Sequence, residues 1–246
     1  MKKSTPPIIV LLALLLCPLL VSCDAFPLRK PAAGPVSTPL FNGENLDGWY
    51  ADVPAADGGA EVSPSFVVED GMLISKGTPQ GHLITDGSYS NYQLVIEYRW
   101  LEEPGNCGIL VHASTPRRLY KMFPQSIECQ MYAGNAGDFW CIGENIEVDN
   151  MTQRRGNPDE WGVEEDQRRR ILNLTNDSEK PAGEWNQMVI QCRDDTVVVF
   201  VNQDLVNFGY NCSASSGQIA IQAEGAPVEF RRVELSDLPT DTTEGD

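Results

Sequence analysis

Histidine is almost missing from this chain: His82 and His112 are the only two among 246 residues. That count excludes a metal centre built from several imidazoles, and no CxxC or Cys/His spacing supplies the nitrogen and sulfur ligands that zinc takes. Positive charge is scarce as well. Lysine and arginine number 18 against 35 aspartates and glutamates, a net charge of −17, which argues against nucleic acid as a partner and against docking on anionic lipid through a basic patch. Helical periodicity is hard to find. Cysteine occurs seven times but forms no framework. With Cys17 and Cys23 in the N-terminal segment, Cys107, Cys129, Cys141, Cys192 and Cys212 remain, an odd number, so at least one lacks a partner in its own chain. Cys129, Cys141 and Cys192 sit within β-like runs, where a free thiol behaves as a small buried apolar group. Buried thiols are therefore expected in preference to a disulfide scaffold, with room for one bridge in an oxidising compartment.

What is present begins with a targeting segment. Lys2 and Lys3 precede the apolar run Ile8 to Leu20, which is short for a bilayer span and has the charge and length of a signal peptide. The run ends in Leu20-Val21-Ser22-Cys23, which resembles a bacterial lipobox. That resemblance implies that residues 1–22 are removed and that Cys23 becomes the lipidated first residue. More than one acyl chain anchors stably where a single chain is marginal, so the protein is expected in the bacterial cell envelope, held by its lipid to a membrane, periplasmic or on the outer surface. Mass spectrometry of the mature terminus tests this. An acylated Cys23 is the expected result, and an unmodified N-terminus at or beyond that residue overturns it. Residues 23–39, rich in proline and small side chains, read as an extended tether. Residues 40–238 read as one folded domain, and the acidic residues 239–246 as a loose tail.

Within the domain, short β-like runs are separated by Gly, Pro and Asn turns. Phe66–Val68 and Met72–Ser75 flank Asp70-Gly71, a strong hairpin signal. Gly81–Thr85 and Tyr92–Leu101 follow, and later Arg170–Leu174, Asn186–Cys192, Thr196–Asn202, Leu205–Asn207, Gly217–Glu224 and Val228–Leu235. The pattern predicts an all-β sandwich. Asp149–Arg169 is highly charged, breaks the strand rhythm and reads as a long insertion loop, a feature that is usually functional or disordered.

The stretch Gly105 to Gly143 carries the chemistry. It holds the runs Cys107–His112, Ser126–Tyr132 and Asp138–Ile142. In Ile127-Glu128-Cys129-Gln130-Met131 the period of two puts Glu128 and Gln130 on one face and Ile127, Cys129 and Met131 on the other. Asp138 and Trp140 share a face by the same rule, and His112 ends the first run. A carboxylate, an amide, an imidazole, a second carboxylate and an indole converging on one concave surface would suit a sugar. The alternative is that Glu128 and Gln130 lie on the solvated face of an antiparallel sheet. Gly105-Asn106-Cys107-Gly108 is a turn signal followed by a glycine at a strand start, where another group can approach closely.

Several landmarks combine into a family resemblance. Leu40-Phe41-Asn42-Gly43 through Gly48-Trp49, Asp70-Gly71-Met72-Leu73, Gly105-Asn106-Cys107-Gly108-Ile109, Glu128-Cys129-Gln130, Gly183-Glu184-Trp185-Asn186, Gly217 through Gln222 and Val228-Glu229-Phe230-Arg231 resemble, in order, the motifs of the 3-keto-disaccharide hydrolase family. The resemblance covers nearly the whole domain. It implies a concanavalin-A-like jelly-roll β-sandwich of two antiparallel sheets. It also implies cleavage of 3-keto-glycosides by abstraction of the C2 proton, β-elimination at C1 and hydration. On that basis Glu128, His112 and Glu224 are the expected proton-transfer residues, and Gln130, Asp138, Trp140, Arg99 and Gln222 are expected to contact an oxidised oligosaccharide or glycoside. Arg99 and Glu97 read as an ion pair across the sheet floor. Asp138 and Glu224 read alternatively as ligands of calcium, the expected ion if any is bound. The chain departs from the pattern in three places. His112, with Arg117 and Arg118 downstream, follows GNCGI where many relatives have Arg; Glu224 stands where many have His; and Arg232 replaces the Asn after VEFR. The rival expectation is a lectin-like carbohydrate-binding lipoprotein without turnover, since one fold serves both roles. An ordinary glycosidase of glucanase type is disfavoured, because its ExDxxE strand is missing.

Overall fold

The computed structural model describes residues 37–238. The signal segment, Cys23, nearly all of the tether and the acidic tail lie outside the described residues. The strands, in chain order, are β1 (Thr38–Pro39), β2 (Trp49–Asp52), β3 (Phe66–Glu69), β4 (Met72–Ser75), β5 (Gly81–Thr85), β6 (Tyr92–Trp100), β7 (Gly108–Leu119) and β8 (Phe123–Gln130). They continue with β9 (Phe139–Ile142), β10 (Arg170–Ile171), β11 (Asn186–Arg193), β12 (Thr196–Val201), β13 (Asp204–Gly209), β14 (Gln218–Ala223) and β15 (Val228–Asp237). They form two antiparallel sheets. One runs β13-β12-β11-β6-β15-β4-β3, with β1 on β15, and the other runs β10-β9-β8-β7-β14-β5-β2.

The two sheets differ in how their faces are used. In β6 the burial alternates residue by residue: Tyr92, Leu94, Ile96, Tyr98 and Trp100 are buried, while Gln93, Val95, Glu97 and Arg99 are only partly covered. That is the mark of a sheet with one wet face. In β5 and β14 nearly every residue is buried. Ile109, Val111, Ile127, Cys129, Ile219 and Ile221 face the main core. Ile84, Leu110, Ala113, Leu119, Phe123, Ile142 and Ala220 form a second apolar cluster. Adjacent residues of one strand point to opposite faces, so Leu110 and Ala220 place this second cluster on the outer face of the seven-stranded sheet.

The cover over that outer face is a hairpin whose length the sequence hides. The run read as Cys107–His112 continues as β7 to Leu119 and returns as β8 from Phe123. Its turn residues Tyr120 and Lys121 both adopt φ of 52°, the left-handed geometry that matches the twist of a two-residue hairpin. Leu119 and Phe123, with Met122 beside them, pack on Ile84, Leu110 and Ala220. Arg117 clamps one flank, donating from Nε to Asp52 (2.9 Å) and from Nη1 to Asp57 (2.7 Å). The other flank is held by Arg118 with Glu164 and by the Tyr120 N–H, which donates to Glu165 at 2.6 Å.

The Asp149–Arg169 insertion is ordered, unlike the long loop read from its charge. It contains a short helix, Met151–Arg155, and is organised around a buried guanidinium. Arg155 donates to Asn145 Oδ1 (2.8 Å), Arg168 O (2.9 Å) and Gly162 O (2.5 Å), with the Trp161 ring 5.8 Å away. A cation satisfied by three oxygens replaces the apolar core that so polar a segment cannot supply. Cys107, Cys129, Cys141, Cys192 and Cys212 are buried free thiols.

Candidate active site

Two rungs of side chains cross the outer face of the seven-stranded sheet. Along one, Tyr50 pairs with Ile84, Ile84 with Ala220, Ala220 with Leu110, Leu110 with Glu128, Glu128 with Trp140 and Trp140 with Arg170. Along the next, Asp52 pairs with His82 and His82 with Gln222, while Gly108 pairs with Gln130. Residues in register on neighbouring strands share a face. Glu128, Gln130 and Trp140, identified from alternation, and Gln222, expected from the family resemblance, therefore belong to one surface.

Gly108 explains how they come so close. A Cβ at that position would lie 2.6 Å from both Glu128 Oε1 and Gln222 Oε1, so the two side chains occupy the space that any larger residue would fill. Close approach was expected here, and the approaching groups are these side chains. Glu128 is 5% exposed. Burial is the largest influence on it and, with the nearby Glu224 charge, raises its pKa from 4.5 to about 8; Arg169 and the Gln222 amide oppose this. Burial also raises Glu224 to about 7, against Arg169. Two carboxyls in one poorly solvated site resist ionising together.

Arg169 is the cation of the site, and the sequence reading had left it at the end of the insertion. Its backbone carbonyl accepts from Cys141 N at 3.1 Å, which fixes the residue beside β9. Its buried guanidinium lies 5.1 Å from the Trp140 ring and 5.9 Å from the Tyr120 ring, and it donates to the Tyr120 hydroxyl at 3.2 Å. One face of Trp140, expected to stack on a sugar, is thus covered by arginine. Arg169 Nε, Trp140 Nε1, Gln222 Oε1 and Asn106 Oδ1 are buried without a hydrogen-bond partner among the described residues. Leaving such atoms unpaired costs about 1–3 kcal/mol each. Those of Arg169, Trp140 and Gln222, beside two carboxyls of raised pKa, are what a polar ligand would complete.

The remaining expected residues fall elsewhere or are already occupied. His112 does not join the cluster. The register shifts between Val111 and Ser114, and His112, at φ 53°, is turned by this bulge into the space between the sheets. There its ring meets Tyr92 edge-on at 6.4 Å, and Nδ1 lies 3.9 Å from Cys212 Sγ. Arg99 lies on the other sheet, ion-paired with Glu229 and 4.8 Å from the Trp185 ring. Glu97, its expected partner, is held instead by Arg231 at 2.6 Å and Arg232 at 3.5 Å. Asp138 accepts from Arg170 and from Asn173 N at 2.6 Å each, so its carboxylate pins the chain. Gln130 Oε1 accepts from the backbone N–H groups of Met131 and Tyr132 at 2.8 Å each. Among the described residues no group of three or more His, Cys, Asp or Glu is arranged to hold a metal ion. The donors present therefore do not fit calcium, which takes six to eight oxygens, and no step below is routed through a metal.

The raised carboxyls set a pH dependence of stability. Between pH 4.5 and about 7 to 8 the folded chain keeps protons on Glu224 and Glu128 that the unfolded chain has released. The stability they contribute is complete below 4.5 and is lost as pH rises through that window, by up to about 1.4 kcal/mol per pH unit for each group. A falling melting temperature from pH 5 to 8, flattened in Glu128→Gln, is the expected result. An unchanged slope in that variant would show Glu128 to be ordinarily solvated.

A family model described as a 3-keto-alpha-glucoside-1,2-lyase-like domain matches residues 36–236. Among solved structures, a candidate glycosyl hydrolase from Parabacteroides distasonis ATCC 8503 is similar with a TM-score of 0.57 at 20% identity, covering 82% of this chain and 94% of that one. Bacillus licheniformis beta-glucanase gives 0.53 at 10% identity over 83% and 98%. Carbohydrate binding module CBM66 from Bacillus subtilis gives 0.50 at 10% over 77% and 96%. At these identities the likeness is one of fold, the two-sheet jelly roll expected from the sequence. No curated protein matches the chain.

Proposed function

This chain belongs to the 3-keto-alpha-glucoside-1,2-lyase-like family, and from that premise we propose that it cleaves glycosides already oxidised to a ketone at sugar C3. The observation that carries the reading is the pair of a buried Glu128 and a half-buried Glu224, both raised toward neutrality. An ordinary glycosidase holds one carboxyl protonated and keeps the other ionised as nucleophile or base. Two carboxyls that both titrate near neutral pH suit a reaction made only of proton transfers.

A C3 ketone acidifies the proton on C2. Glu224, the lower of the two, is ionised often enough near neutral pH to remove that proton. The C–H electron pair becomes the C2–C3 double bond of an enolate with negative charge on O3. Donors already lacking partners, Arg169 Nε and Trp140 Nε1, are suited to receive it. The enolate then collapses: C3=O reforms, C1=C2 forms, and the C1–O bond breaks. The departing oxygen takes the proton held by Glu128. Water adding its oxygen to C1 and a proton to C2 completes a net hydrolysis. With Cys23 lipidated, this activity would sit on the bacterial envelope.

The test is incubation of the protein with a 3-keto-disaccharide beside its unoxidised parent. Release of the aglycone from the oxidised compound alone is expected. Release from both would point to ordinary hydrolysis, and tight binding without release would favour a lectin.

A further inference from the structure

Trp140, expected to stack on a sugar, has one face covered by Arg169. A second ring beside the same guanidinium stands open. Tyr120, at the tip of the hairpin of β7 and β8, is 51% exposed, but exposure does not leave it loose. Its backbone N–H donates to Glu165 at 2.6 Å, and its hydroxyl accepts from Arg169 Nη2 at 3.2 Å. Leu119 and Phe123, on either side of the turn, are buried in the apolar cluster under the tip. The Arg169 guanidinium carbon lies 5.9 Å from the Tyr120 ring centre, and its bond to the hydroxyl sets it toward the oxygen end of the ring, not over the middle. An aromatic ring fixed through its backbone and its hydroxyl loses little further freedom when a ligand covers it.

We propose that Tyr120 is a substrate-binding residue whose ring takes the C–H face of the oxidised pyranose. This rests on the reading of Arg169 as a donor to O3, because the ring that Arg169 holds is the one that lies beside Tyr120. The side chain has two separable tasks. Its ring supplies apolar contact to a substrate that is otherwise polar, the mixture that small-molecule sites use to bind and to orient. Its hydroxyl supplies position. Arg169 gives Nη2 to Tyr120 and Nη1 to the Cys141 carbonyl at 3.4 Å, so two of its three nitrogens are engaged. Nε, buried without a partner among the described residues, is the one left for a substrate oxygen.

The test separates the two tasks in the full chain. Tyr120→Ala removes ring and hydroxyl together. It is expected to weaken binding of a 3-keto-disaccharide about tenfold, the scale of one ring's lost apolar contact, and to lower kcat about three- to tenfold as Arg169 loses the acceptor that holds it. Tyr120→Phe restores the ring alone, so it should recover the affinity and keep the lowered kcat. Affinity is read by calorimetry in the Glu128→Gln background, where turnover is slow, and kcat from aglycone release without that substitution. Since the oxidised ring is the one held, a methyl 3-keto-glucoside, which lacks the second sugar, should lose affinity by the same factor. Equal affinity of Tyr120→Ala and its parent, a loss that Tyr120→Phe does not recover, or a loss confined to the disaccharide overturns the proposal. Tyr120 sits at φ 52°; should alanine disturb the turn and lower the melting temperature, Tyr120→Asn, which tolerates that region, is read by the same criterion. Oxidised sugar bound but never cleaved would refute the proposed function and leave the affinity comparison standing, whereas an unaltered chain that binds neither sugar would overturn both.

Discussion

Glu128→Gln is expected to reduce turnover of a 3-keto-glycoside by roughly 10²–10⁴-fold, the contribution of a positioned proton transfer, without loss of fold. Glutamine keeps the shape that lies over Gly108 and removes only the titratable proton. Because Glu128 is held largely protonated near neutral pH, the variant resembles the wild type in charge, and sugar binding should weaken only modestly. The measurement is kcat and KM per folded molecule, with melting temperature as control. Unchanged kcat would sink the assignment of Glu128 as acid and leave Glu224 as the leading group for both transfers.

Arg169→Met is the second large effect. Arg169 lowers the pKa of both Glu128 and Glu224, so its removal raises both. Near neutral pH the base would then be protonated as well as the acid. The same substitution removes a donor from the site of developing negative charge, a loss of roughly 10²–10³-fold in kcat where such donors have been deleted. Methionine fills much of the volume against Trp140 and Tyr120. We expect kcat to fall by that amount and the acid limb of the pH–rate profile to move to higher pH. A rise in KM alone, with kcat intact, would show that Arg169 merely binds substrate.

How much of this was legible depended on whether the backbone kept its period. Ile127 to Met131 keeps it, and there alternation assigned Glu128 and Gln130 to the outer face and Ile127, Cys129 and Met131 to the core. His112 sits in a bulge, so the same rule turned its ring the wrong way. Arg99 obeys the rule, but alternation names a face and not a sheet, and nothing local says that β6 belongs to the other layer. Arg169 precedes a two-residue strand in a charged segment, where no periodicity could single it out. Its role comes from the carbonyl it offers Cys141 and the ring of Trp140, both distant in sequence. Asp138 was rightly placed beside the floor. Its oxygens are taken by Arg170 and Asn173, a pairing made by β10 and the residues just after it and invisible in the strand itself.

The hairpin of β7 and β8 lies across the face that holds Glu128, anchored by Arg117 on one flank and by Glu164 and Glu165 on the other. The cover over Ile84, Leu110 and Ala220 is thus pinned to two segments far apart in the chain, residues 52–57 and 164–165, so neither the segment that follows β2 nor the charged insertion can shift without disturbing the packing beneath the tip.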